Sequence, residues 1–364
     1  MNRKHATARS RGLLVAATLA GSWRALLPTL RLSADDLDEV TPLLYNSGGA
    51  ALAWYRIRET ELRATASAEV LHQGYRLQAL QIAMRLEKIE LVYQLLGEAN
   101  IDAIMVKGWA VSNFYPERAL RPLGDIDLLV KPKDYEVARA IFERPEARSF
   151  WVDLHKGLVE LPDRSVDELF ARAQTVKLRA TEVRVLSTPD HLALLAIHLL
   201  KHGAFRPLWL CDIGAVVESL PTDFDWNTCL GANKRRATWI ASSILLAHQL
   251  LEASIDNVPL TESARQIPQW LVDSVLKQWG NLFPGDHLPV QPRPLMIHSL
   301  GSPGEMLKAI RERWPDPIVA TFNMRGRINN FPRLPYQLGA FAARAVGYLI
   351  DQLGPALQSR ALRS

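Results

Sequence analysis

The sequence predicts an α+β fold, with a short sheet-bearing unit set between an N-terminal and a C-terminal helical region. Three features lead there. From about Ala51 to Leu96 the chain has no proline, only Gly74 interrupts it, and apolar residues recur at helical spacing. At Asn100 the texture changes, and strand-like and helix-like segments alternate as far as His155. After Thr188-Pro189 the helical pattern resumes. The divisions read as residues 1–98, 99–187 and 188–364.

Leu13, Ala16, Ala17, Ala20, Trp23, Leu27 and Leu30 recur at spacings of three and four, which predicts an amphipathic helix through this stretch. The basic residues before Gly12 and the apolar run to Gly21 also fit a secretory signal or a membrane-surface anchor, but the run is too short to span a bilayer. Ser33 before Ala34-Asp35-Asp36-Leu37 is a helix cap with acids in the first turn, and Asn46-Ser47-Gly48-Gly49 breaks that helix. Long helices are expected from Ala51 to Leu96. Ile101–Val106 reads as a strand ended by Lys107-Gly108, Trp109–Phe114 as a helix, and Asp125–Val130 as a second strand. Pro132 opens a helix to Phe142, Phe150–His155 is a third strand, and Glu182–Leu186 a fourth. Helices follow at Asp190–His202, Leu208–Leu220 and Ala237–Leu251. Asn281–Pro294 is rich in proline and reads as a loop, with basic helices beyond it.

At 364 residues, 48% hydrophobic and 22% charged, the chain can bury a large core without a staple. Cys211 and Cys229 form no C-x-x-C pair, which argues against a disulfide framework and a zinc knuckle and makes a cytoplasmic location the expectation. The net charge of +5 sits at the ends. Residues 1–31 carry six Lys/Arg and no acid, and residues 305–364 carry nine against four acids, so the body between them is acidic. No basic face on the central unit follows, and no stable nucleic-acid complex is predicted.

The chemistry centres on Asp125-Ile126-Asp127. On a strand, residues i and i+2 leave the same face, so both carboxylates converge. Like charges so placed repel unless a cation lies between them, and Mg²⁺ takes a few carboxylate oxygens together with substrate phosphates. Lys107-Gly108 offers a charge and close backbone approach for phosphate at a helix start. Arg121 precedes Asp125 by four residues. Asp153, with His155 two residues on, shares one face of the next strand and would complete a carboxylate triad.

In that order, Lys107-Gly108, Arg121-x-x-x-Asp125-Ile126-Asp127-Leu128-Leu129-Val130 and Val152-Asp153-Leu154-His155 resemble the polymerase-beta-type nucleotidyltransferase superfamily. More narrowly they are similar to the bacterial uncharacterised nucleotidyltransferase family, and more distantly to abortive-infection nucleotidyltransferase toxins. The resemblance covers most of residues 33–220. It implies a small mixed-sheet core and an enzyme that moves a nucleoside monophosphate from an NTP to an acceptor that is a small molecule, a peptide or an RNA. Asp125 and Asp127 would ligate Mg²⁺, Asp153 would serve the ion beside the acceptor hydroxyl, and Lys107, Gly108 and Arg121 would hold the triphosphate. Where many members carry Gly-Ser or Gly-Gly, this chain has Gly108-Trp109, so a hydroxyl contact would have to come from Ser112. The competing readings are a nucleotide- or partner-binding protein with weakened activity and a toxin acting on transfer RNA.

His191, His198 and His202 lie on one side of a helix. Structural histidines, contacts to nucleotide or acceptor, and a second metal site all fit that spacing, and no Glu follows His198 to make a zinc-protease motif. Asp212 is a candidate partner for one of them. Trp151, Trp209, Trp226 and Trp239 read as packing residues.

Overall fold

The computed structural model describes residues 7–260, 266–281 and 313–361, with positions 304, 310 and 311. Four α-helices precede the sheet. Helix α1 (Ala8–Leu19) is capped by Thr7, and α2 (Ala34–Asn46) by a capping box in which Ser33 and Asp36 satisfy each other's backbone amides. Gly48 and Gly49 end α2, and α3 (Ala50–Ile57) comes next. The stretch expected to hold long helices is divided at Arg58–Thr65, where Thr60 caps a short 3-10 turn and Thr65 caps α4. Helix α4 then runs unbroken from Ala66 to Glu98.

The sheet has five strands in the order β3-β2-β1-β5-β4: β1 (Ala103–Met105), β2 (Ile126–Val130), β3 (Val152–His155), β4 (Gln174–Leu178) and β5 (Thr181–Val185). It is mixed. β1 is antiparallel to β2 and parallel to β5, β2 is parallel to β3, and β4–β5 is a hairpin. One face packs on α4 and on α6 (Tyr135–Phe142), where Ile126, Leu128 and Val130 meet Ile89, Val92, Ala138 and Ile141. The other face, carrying Ile104 and Leu129, belongs to the large core made by the helices. This alternation sends Asp127 toward the helical side.

Helices α7 (Val166–Arg172), α8 (Thr188–Lys201), α9 (Pro207–Glu218), α10 (Trp226–Leu230), α11 (Lys234–Leu251) and α12 (Gln269–Trp279) complete the body, and beyond them lie helices Pro317–Asn323 and Leu334–Ala361. No described helix is long and apolar enough to cross a membrane. A single core cluster joins Val15 and Leu19 of α1 to α2, α3, α8, α9, α11 and α12, so the first and last thirds of the chain share one interior.

Several expectations are corrected. The helix read through Leu30 stops at Leu19, because Gly21 turns the chain at φ 62°, and Trp23 instead packs on Gly214 and donates to Glu218. Trp109–Ser112, named α5, is one turn of helix rather than a helix to Phe114. The third strand starts at Val152, since Phe150 ends a 3-10 turn and Trp151 is left-handed at φ 54°. Strand β4 and helices α7, α10 and α12 were not anticipated. The β4–β5 turn lacks the usual Asn-Gly and uses Arg179 at φ 51°. The expected loop at 281–294 falls outside the described residues except for Asn281.

Helices α1 and α12 approach until backbone meets backbone. A Cβ on Gly12 would lie 2.0 Å from the Leu276 carbonyl oxygen, and one on Gly280 would lie 1.6 Å from that of Ala8. Gly12→Ala should therefore destabilise the fold by about 3 kcal/mol or more in urea unfolding. Gly97→Ala, with nothing within 4 Å of the new methyl, should be neutral or stabilise by up to about 1 kcal/mol.

His191 yields a pH prediction. It is fully enclosed, its Nε2 has no hydrogen-bond partner among the described residues, and burial followed by the Arg121 charge lowers its pKa to about 4. Both folded and unfolded chains carry it neutral above pH 6.5. Between pH 6.5 and 4 only the unfolded chain takes the proton, so stability falls as pH falls, by up to about 3 kcal/mol from this group. Urea unfolding at pH 7 and 4.5 should show a smaller loss in His191→Leu than in the wild type. Equal losses would mean that His191 protonates in place.

Candidate active site

The site is assembled where β1 ends and β2 and β3 begin. The Val106 amide donates to the Asp127 carbonyl, which brings Lys107 and Gly108 alongside the start of β2. Gly108 has φ 59° and ψ −111°, a conformation open to glycine, and a Cβ there would meet only the Asp125 carbonyl at 3.7 Å. Conformation, not space, requires the glycine. Lys107 Nζ then reaches Asp127 Oδ1 at 2.8 Å. The parallel register pairs Asp127 with Asp153 and Leu129 with His155. His155 Nε2 lies 3.3 Å from Asp127 Oδ1 and 3.4 Å from Asp153 Oδ2, bridging the two carboxylates.

The three aspartates differ in environment. The Asp127 side chain is 6% exposed and Asp153 is 53% exposed. Burial works against the charge of Asp127, but the His155 hydrogen bond and Lys107 outweigh it, and its carboxyl titrates below the ordinary range. Asp125 is the reverse: burial first, then repulsion from Asp127, pushes its pKa up despite Lys107. Burial likewise opposes the charge of Lys107, and Asp127 reverses that and raises its pKa. One ammonium is thus shared among several carboxylates, and Asp125 is left under-neutralised.

Lys107, Gly108, Asp125 and Asp127 form one side of a cavity of about 510 Å³. The α2 terminus from Tyr45 to Gly48, the Arg121–Gly124 approach to β2 and the α8–α9 segment with His198, His202, Phe205, Arg206 and Trp209 form its other sides. Asp153 and His155 lie at the solvent edge, beside the aspartates but outside this lining.

Arg121 also lines the cavity, yet its donors are engaged. Nη2 is 2.9 Å and Nε 3.3 Å from the two oxygens of Asp212, which is 0% exposed, and Nη1 donates to the Pro122 carbonyl. Tyr115 donates to the same carboxylate at 2.7 Å. The expected partnership of Asp212 with a histidine is therefore replaced by one with Arg121. Ser112 is buried and donates to the Trp109 carbonyl in its own turn, away from the cavity lining. Trp151, read as a packing residue, is 67% exposed, with the Arg85 guanidinium 5.4 Å from its ring.

The histidines separate. His191 is enclosed in the core, whereas His198 and His202 line the cavity. Glu160 accepts from Lys201 Nζ at 2.8 Å and lies 3.5 Å from His198 Nδ1. Burial lowers both histidine pKa values, that of His202 to about 4, so both rings are neutral at pH 7. Glu160, Phe205 and Arg206 escaped the sequence reading, and Trp209 was read there only as a packing residue. Their one signal was adjacency, because Arg206 and Trp209 follow His198 and His202 within a single turn-and-helix segment.

A model of the uncharacterised nucleotidyltransferase family matches residues 33–147 and 141–252. No curated protein and no solved structure matches the chain. The family match begins at the cap of α2, carries every residue lining the cavity, and ends after α11. Since it takes in well over half of the sequence, together with the strands and helices that build the site, this chain belongs to the uncharacterised nucleotidyltransferase family.

Proposed function

We propose that the cavity receives a nucleoside triphosphate and that the chain transfers its nucleoside monophosphate, with Mg²⁺, to an acceptor hydroxyl. The observation that carries this reading is the pairing of Asp127 with Asp153 across β2–β3, with Lys107 against Asp127 and Asp125 lining the cavity beside it. Potential ligand atoms of Asp127, Asp153 and His155 lie within 4.8 Å of one another. Together with the under-neutralised Asp125, this is a donor set and a charge deficit that fit a hard divalent cation. Asp125, Asp127 and Asp153 would hold it. When bound, Mg²⁺ supplies Lewis-acid stabilisation of phosphoryl oxygens.

The chain's own groups divide the remaining work. The acceptor oxygen forms a bond to the α-phosphorus while the bond to pyrophosphate breaks in line with it. The exposed Asp153 carboxylate takes the hydroxyl proton, and His155 Nε2 beside it holds that carboxylate in place. Lys107 exchanges part of its contact with Asp127 for a phosphate oxygen, and the α8–α9 wall excludes water from the reacting end of the nucleotide.

The test incubates the purified chain with α-labelled NTPs, Mg²⁺ and cell extract, and separates protein, RNA and small-molecule fractions. Label should enter one fraction, and Asp127→Asn should reduce it by about two orders of magnitude or more while the fold survives. Unchanged turnover in that variant would sink the assignment. Asp153→Asn should slow transfer steeply while nucleotide affinity moves by less than about tenfold, or ~1.4 kcal/mol. Lys107→Ala should weaken NTP binding more than nucleoside binding in calorimetry, since its contribution is charge on charge. An equal loss for both ligands would make it a structural lysine.

A further inference from the structure

The cavity has a second charged side. Arg206 follows the turn after α8, where Gly203 and Ala204 both have positive φ, and Pro207 then opens α9. Its guanidinium carbon sits 5.5 Å from the centroids of both the Phe205 and the Trp209 rings. Trp209 is in turn packed edge-on against His198 at 4.8 Å and Phe205 at 4.9 Å. Ring faces restrain an arginine without consuming its N–H donors. Among the described residues the Arg206 side chain makes no hydrogen bond and no ion pair, and neither does the ring of His202. Both line the cavity. Arg121, the arginine that the motif singles out, has no such freedom, because Asp212 and the Pro122 carbonyl take its donors.

The same wall could be read as a metal site, since ligand atoms of Glu160, His198 and His202 fall within 4.8 Å of one another. The surrounding charges argue otherwise. Glu160 is already neutralised by Lys201, and the charge of Lys107 bears on both histidines. A further cation would meet two ammonium groups, whereas an anion meets the Arg206 guanidinium and the His202 ring, His198 being turned by its Nδ1 toward Glu160. Burial first and then the Arg121 charge disfavour the charge on Arg206, with Asp125 acting the other way, and an arriving polyanion adds the compensating charge.

We propose that Arg206, with His202 beside it, is the polyphosphate anchor of this cavity, taking the β- and γ-phosphates of the donor from the helical side while the aspartates face the α-phosphate. The proposal rests on the nucleotidyl-transfer reading of the site, and it names the group that holds the leaving pyrophosphate. The guanidinium fork suits bidentate contact with phosphate oxygens.

The test is calorimetry on the full chain with sodium tripolyphosphate, an NTP and the matching nucleoside. The wild type should bind tripolyphosphate. Arg206→Gln should weaken tripolyphosphate and NTP roughly tenfold or more, leave the nucleoside within about twofold, and keep the melting temperature. Arg206→Lys, which retains charge without the fork, should fall between. Arg121→Gln should lower the melting temperature instead. Absence of saturable tripolyphosphate binding by the wild type overturns the proposal. So does an Arg206→Gln affinity within about twofold of wild type, or loss of binding in an Arg121→Gln chain that melts normally. The labelled-NTP assay keeps the two readings apart. Binding that depends on Arg206 without transfer to any fraction leaves the anchor standing and removes the transferase reading, while transfer with Arg206-independent binding does the opposite.

Discussion

The alignment of β2 with β3 is the constraint on which the site depends. Side chains on a strand alternate with period two, so the register that sets Asp127 beside Asp153 also sets His155 between their carboxylates and sends Ile126, Leu128 and Val130 into the core behind. A slip of one residue would turn Asp127 into the apolar layer of Ile89 and Val92 and bring a leucine to the cavity in its place. The apolar face therefore enforces the position of the polar one. The repulsion this creates is answered locally by Lys107, placed at the end of β1 by a glycine whose backbone angles other residues resist.

The sheet supplies only half of the cavity. Its other walls come from the end of α2 and from the α8–α9 segment, and these belong to one continuous hydrophobic core that includes α1 and α12. Asp212 ties the two halves together. It is fully buried on α9, yet it receives Arg121 and Tyr115 from the connection between β1 and β2. Removing one partner of such a pair strands a buried charge, which costs far more than the pair contributes when intact. The strand carrying the aspartates and the helix carrying Trp209 are thereby held in one relation.

Much of this was legible in the sequence, and the limits have physical reasons. The Asp125-Ile126-Asp127 alternation, the Asp153-Leu154-His155 strand and the Lys107-Gly108 step each depend on neighbours a few residues away, and local pattern reports them. Arg121 was drawn into the phosphate group by its distance along the chain from Asp125, but its partner is Asp212, which no local pattern connects to it. Ser112 fails for a similar reason, since a single helical turn folds its hydroxyl back onto Trp109. Arg206 went unnoticed because an arginine before a proline carries no signal until the two aromatic rings around it are brought together. The N-terminal helix was extended too far because its spacing continues past Gly21, although the backbone there does not.

The closeness of α1 and α12 bears on how the molecule is made. Arg9 and Asp273, which form an ion pair between these helices, are separated by 264 residues. During synthesis α1 leaves the ribosome long before its partner exists, so its buried face, with Val15, Ala16 and Leu19, must wait through most of translation. Contacts of such long range form late and slowly. The sheet with its aspartates can assemble from consecutive segments, whereas the core behind the cavity walls is completed only when α11 and α12 arrive. Order of synthesis therefore separates the appearance of the three aspartates from completion of the core behind the cavity.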